Sequence, residues 1–213
     1  MIDPAAQARF TAGSAVGELA KQLFPGTVDV TTLNNEGGLD LSAMLEKTQR
    51  LLADSTTNVI AEAAVSYKGC YCAVDLLLRE DGGWAIYEVK STSTKGDDGQ
   101  QAKFDKYLPD IAYQTWMLQQ CGINVTSINL VCIDSNYVRH GKLNPQQLFA
   151  IIDMREALRD ELAKVPARVS DALKVLSVER VPEAKLSERC VEPYECPFME
   201  YCMIEEDIPQ DWE

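Results

Sequence analysis

Between Val59 and Ser91 the chain carries three strand-like runs: Val59–Tyr67, Tyr71–Arg79 and Trp84–Ser91. Lys68-Gly69 separates the first two, and Asp81-Gly82-Gly83 starts the turn before the third. Both are turn sequences, and connections this short join strands only as antiparallel hairpins. An antiparallel meander is therefore expected at the centre of the fold. The flanks read as helices. Phe10, Val16, Leu19, Ala20 and Leu23 recur at helical spacing over 5–24, ended by Pro25-Gly26. Leu41, Met44, Leu45, Leu51 and Leu52 mark a second helix over 40–53. After a polar loop at 92–103, a helix is expected over 110–121, closed by Gly122, and then a buried strand over Val125–Ile133. That helix is long enough for a parallel crossover, so the sheet is expected to be mixed and flanked by helices, an α/β (α+β) fold.

Further along, Tyr137–Arg139 reads as a short fifth strand after the turn Asp134-Ser135-Asn136. Asn144, Pro145 and Gln147 form a helix-start pattern, with Leu143 and Leu148 as its hydrophobic staple. Pro166 is expected to break or kink that helical region, before an amphipathic stretch to about Leu176.

Charge and cysteine content narrow the function classes. A formal net charge of −13 disfavours a protein that coats nucleic acid by charge alone. It leaves room for an enzyme whose positive charge comes from a bound metal. No run approaches the ~18 apolar residues of a membrane span, and Asp3, Arg9 and Glu18 near the start do not read as a secretory leader. The expected setting is the cytoplasm, with no membrane partner. Seven cysteines, an odd number, do not suggest a disulfide framework. Phosphate-binding loops, the serine-nucleophile elbow and C-x-x-C motifs are absent from the sequence.

One cluster carries chemistry. Asp75 interrupts the apolar strand Ala73-Val74-Asp75-Leu76-Leu77-Leu78, and a carboxylate in such a strand needs a partner. Glu88 and Lys90, two apart on the next strand, share a face. The short turn lets all three converge. Hydrolysis of a phosphodiester calls for this set: carboxylates to hold Mg²⁺ or Mn²⁺, aided by the Val89 carbonyl, and an amine to orient a water and offset developing charge. Taken as three charges alone, the trio is also what a cross-strand salt bridge looks like. Gln114, on the following helix, completes the candidate site.

Asp75, twelve intervening residues, Glu88-Val89-Lys90 and then helical Gln114 resemble the RecB-like nucleases of the PD-(D/E)XK superfamily. Glu62 in Ala61-Glu62-Ala63 resembles the acidic residue on the strand before the catalytic aspartate. Phe10-Thr11-Ala12-Gly13 with Val16-Gly17-Glu18-Leu19-Ala20 resembles the first motif helix. Asn136-Tyr137-Val138-Arg139 and the cysteine tail resemble a bacterial branch related to the CRISPR-associated adaptation nucleases. The resemblance implies a restriction-endonuclease-like core over 1–187 and a metal-dependent deoxyribonuclease. That enzyme would be exonuclease-like, with DNA as its partner, in DNA processing, repair or defence. Relatives often have histidine where this chain has Gly17, and tyrosine where it has Leu118. A catalytically impaired module that binds DNA or a protein partner is the alternative.

The segment 188–213 is an acidic tail holding Cys190, Cys196 and Cys202. Related nucleases hold a [4Fe–4S] cluster with three such cysteines and one nearer the N-terminus, whereas no cysteine here precedes Cys70. A cluster with its fourth ligand from a partner protein or a further domain, a zinc ion, or three free thiols all remain open.

Overall fold

The three central runs do form a meander: β2 (Val59–Tyr67), β3 (Cys70–Glu80) and β4 (Gly83–Ser93) pair antiparallel in that order. Lys68 and Gly69 both take positive φ (48° and 81°), the backbone of the hairpin turn that suits strand twist. The computed structural model describes residues 4–95, 104–180, 185–191 and 195–205. The chain divides into two units, Met1–Val165 and Pro166–Glu213, so the boundary expected at 187/188 lies inside the second.

The first unit is a mixed six-stranded sheet. β1 (Val28–Asp29) lies parallel to β2 at one edge, β5 (Val125–Ile133) lies parallel to β4, and β6 (Phe149–Asp153) closes the other edge antiparallel to β5. Its helices are α1 (Pro4–Ala20), α2 (Leu41–Ala53), α3 (Leu108–Gln120) and the single turn α4 (Pro145–Leu148), followed by the start of α5 (Arg155–Leu176). Asp40 caps α2 by accepting the Ala43 N–H at 3.0 Å, and Gly122, at φ 76°, closes α3.

Both faces of the sheet are covered. Ala20 and Leu23 pack with Val59, Ala61, Leu76, Val131 and Phe149, joined by Val16, Leu19, Tyr87 and Val89. Alternation puts the buried Leu77 and Ile86 on the other face. α2 packs on β2, and α3 packs against β2, β3 and β5. Buried Thr48 of α2 accepts the Ala64 N–H of β2 at 2.9 Å, just past the point where β1 stops pairing.

Two expectations need correction, and the break expected at Pro166 is a third point of difference. Tyr137–Arg139 is not a strand: Asp134 accepts the Tyr137 N–H at 3.0 Å and the Tyr137 hydroxyl accepts the Asn144 N–H at 3.2 Å, which folds the segment on itself. Asn144 caps a helix as expected, accepting the Gln146 N–H at 3.1 Å. That helix lasts one turn, because the following apolar Phe149–Asp153 pairs along β5 instead. Pro166 lies inside α5 and does not end it. Its missing N–H removes one helical bond, while Ala163, Lys164, Ala167 and Arg168 around it are strong helix formers. The second unit holds the rest of α5, a 3-10 turn at Glu188–Cys190 and α6 (Met199–Glu205). Most of the loop expected over 92–103 and of the acidic end after Cys202 lies outside the described residues.

Candidate active site

The site begins where a ladder ends. β3 and β4 pair from Glu80↔Gly83 to Leu76↔Tyr87, and there the pairing stops. The next pair in that register would be Asp75 and Glu88. β3 carries on with β2 down to Tyr67↔Cys70, while β4 carries on with β5 through Glu88↔Leu130 and Val89↔Val131. The two strands part at the two carboxylates. A side chain replaces the lost backbone bond: the Val89 N–H donates to Asp75 Oδ2 at 2.7 Å.

Glu88 is 3% exposed. Its Oε1 lies 2.7 Å from Lys90 Nζ, and its Oε2 is buried with no hydrogen-bond partner. Lys90 Nζ is also 2.8 Å from Asp110 Oδ2 on α3. Asp110 Oδ1 in turn accepts from Gln114 Nε2 at 3.1 Å, one helical turn on. Gln114 is buried, and its Oε1 likewise has no partner. Asp75, Glu88, Lys90 and Gln114 are thus brought together.

The Asp75 charge bears on two neighbouring carboxyls, Glu88 and Glu62. Burial, and then the Asp75 charge, push Glu88 up to about 8. Burial raises Asp75 too, against the opposing Val89 N–H and Lys90. Glu62, opposite Asp75 in the register set by Ala61↔Leu76 and Ala63↔Val74, is pushed up to about 7 by burial and by Asp75. It also sits at φ 57°, a left-handed conformation that costs a non-glycine residue about 1–3 kcal/mol. Lys90 is raised as well, which for an amine favours the charged form. Burial opposes its charge, but Glu88 and Asp110 outweigh burial and hold the amine above its usual range.

Glu62, Asp75, Glu88 and Lys90 line a cavity of about 490 Å³ together with Gly13, Gly17 and Glu18 of α1, while Asp110 and Gln114 stand behind Lys90 and do not line it. A Cβ on Gly17 would meet nothing within 4 Å. At the same cavity Lys21 is gripped by Glu18 and Asp29, each at 2.5 Å. Leu118 is buried in the core, and the Tyr113 hydroxyl donates to the Tyr71 carbonyl at 3.0 Å. Asp110, Lys21 and Asp29 were not legible as site residues. A hint for Asp110 was its place one turn before Gln114; Lys21 and Asp29 carry no local signal.

In the second unit Cys190, Cys196 and Cys202 are each partly buried, and the Cys196 N–H donates to the Cys190 carbonyl at 2.7 Å. Among the described residues no three His, Cys, Asp or Glu side chains are gathered as a metal-binding group, and no helix is long and apolar enough to cross a membrane.

No family model and no curated protein matches the chain. Among solved structures, a protein from Eubacterium rectale named as a candidate exonuclease is 14% identical, with a TM-score of 0.40 over 87% of this chain and 79% of its own. The protein SSO0001 is 14% identical, with a TM-score of 0.33 over 95% of this chain and 100% of its own. Likeness at this level transfers neither fold family nor chemistry, so the chain's own geometry must carry the reading.

Proposed function

We propose that the chain is a metal-dependent deoxyribonuclease of the PD-(D/E)XK type, exonuclease-like in action and working in the cytoplasm. The observation that carries this reading is the parting of β3 and β4 at two carboxylates beside a lysine, at the wall of a cavity. The donors fit a hard divalent cation. Mg²⁺ needs one or two protein carboxylates and takes its other ligands from water and substrate. Glu88 Oε2 is buried and unpartnered, and Asp75 and Glu88 repel each other. Asp75, Glu88 and the Val89 carbonyl would hold Mg²⁺ or Mn²⁺, which when bound supplies an acidified water and neutralises charge at the scissile phosphate.

The chain's own groups do the rest. Lys90 stays an ammonium at neutral pH, because Glu88 and Asp110 hold its pKa up. Its work is electrostatic: to offset charge on the phosphate and orient the attacking water. The buried Gln114 carbonyl oxygen offers an acceptor beside it. The Asp75–Val89 bond ties β3 to β4 where their ladder stops and fixes one Asp75 oxygen. The test is cleavage of labelled single- and double-stranded DNA with Mg²⁺ or Mn²⁺, beside a Lys90→Ala control. Metal-independent cleavage, or cleavage that survives Lys90→Ala in full, would sink the reading.

A second reading has its own observation. Gly17 brings no side chain of its own to the cavity, and Lys90 already pairs Glu88. An impaired nuclease fold that binds DNA or a protein would show these features. DNA binding without cleavage in either metal would favour it. For the tail we propose a [4Fe–4S] cluster on Cys190, Cys196 and Cys202, its fourth ligand from a partner protein or another domain. Ligation would have to draw the thiolates together, with binding free energy becoming folding free energy. Iron and sulfide analysis of anaerobically purified protein decides this, and iron-free protein leaves three free thiols.

A further inference from the structure

Lysine carries its charge on a flexible four-carbon stem, so a lysine that acts at one point must be held there. Lys90 is held from two elements at once. Glu88 on its own strand grips the ammonium at 2.7 Å, and Asp110 on α3 grips it at 2.8 Å. Asp110 is itself fixed. It lies in the first turn of α3, where the helix end favours a carboxylate, and its second oxygen takes the Gln114 amide at 3.1 Å. The chain Gln114–Asp110–Lys90–Glu88 therefore ties helix to strand through charge-assisted hydrogen bonds.

We infer that Asp110 is a positioning residue: it draws the Lys90 ammonium away from exclusive pairing with Glu88 and fixes the Gln114 amide with its carbonyl oxygen free. The consequence for the site follows from geometry. Without Asp110, the ammonium keeps Glu88 as its ion-pair partner at 2.7 Å, and a Glu88 tied up in that pair is a poorer cation ligand. Gln114, losing its acceptor, is free to turn its amide over. This inference rests on the nuclease reading for its effect on turnover, but not for the arrangement of the ammonium itself.

Two measurements separate the two. In metal-free protein, the Lys90 ammonium protons, followed by ¹⁵N-resolved NMR and assigned with Lys90→Arg, should exchange slowly with water. In Asp110→Ala that signal should shift and broaden, and Asp110→Glu should restore it in part. In the cleavage assay, Asp110→Ala and Asp110→Asn should lower kcat by about tenfold to a hundredfold, the scale of misplacing a reacting group, with KM for DNA little changed. Mn²⁺ binding, read by calorimetry, should weaken in parallel. An unshifted Lys90 signal in Asp110→Ala overturns the inference even if the wild type cleaves DNA. A shifted signal upholds it even if the wild type is inactive, and in that case the nuclease reading alone has failed. A folded Asp110→Asn protein, verified by circular dichroism, with full kcat and unchanged Mn²⁺ affinity also overturns it.

Discussion

The two ends of the β3–β4 hairpin are made from the same strands and do opposite things. At the turn end, Glu80↔Gly83 through Leu76↔Tyr87 zip without interruption. Arg79 stacks on Trp84 at 4.2 Å and donates to the Thr57 and Asp54 carbonyls at 2.8 and 2.9 Å. Glu80 accepts the Thr126 hydroxyl at 2.8 Å. At the other end, Asp75 and Glu88 stand where the next rung would be, the strands part, and Glu88 Oε2 and Gln114 Oε1 are buried without partners. An unmade hydrogen bond on a buried polar atom costs about 1–3 kcal/mol. The closed end is built for stability; the open end holds groups that stability alone would not select, which is the ground for proposing it as the working end.

The sharpest way to break that contrast is Asp75→Asn. It keeps an acceptor for the Val89 N–H but removes the charge. Metal-dependent cleavage should fall to background while the melting temperature stays level or rises, since the carboxylate charge is buried at a cost. A variant that unfolds would make Asp75 a structural residue and the open end merely an irregular sheet.

The second test is the pH dependence of stability without metal. Glu88 and Glu62 titrate at about 8 and about 7 when folded, against an ordinary 4.5. The folded state therefore binds more protons than the unfolded state across this window. Their stabilising contribution is complete below the unfolded pKa and is lost as pH rises through the folded values. Melting temperature should fall between about pH 5 and pH 8, and Mg²⁺ or Mn²⁺ should recover it most at the alkaline end. Glu88→Gln should flatten the profile. A flat profile in the wild type would mean that the open end is not charged against itself.

The meander, the parallel β5 and the convergence of Asp75, Glu88 and Lys90 were legible because turn residues and strand periodicity are local signals, whereas Gln114, on a helix, was reached through the resemblance alone. Sheet alternation then puts Glu88 and Lys90 on one face. The edge strands were not: β1 has two residues, and Phe149–Asp153 is a short apolar run that periodicity cannot assign until β5 offers an edge. Asp110 was missed as a site residue because it meets Lys90 from a helix 20 residues away, a contact set by packing and not by spacing. Glu62 was legible as an acidic strand residue, but its positive φ was not, because the distortion belongs to the sheet around it.

The smaller effects belong to the closed end. A Cβ at Gly83 would lie 2.3 Å from the Asn124 carbonyl oxygen, and that is backbone rather than a side chain that could swing away. The Trp84 N–H donates to the same carbonyl at 2.8 Å, so β4 and the start of β5 are clamped there. Gly83→Ala must push them apart. It should cost about 1–3 kcal/mol, the usual range for forcing extra volume into a packed site, read as a lower denaturant midpoint. Because the site lies at the other end of the hairpin, cleavage per folded molecule should be unchanged. Loss of activity in folded Gly83→Ala protein would show that the two ends are coupled along β4 and would end the division of labour drawn above.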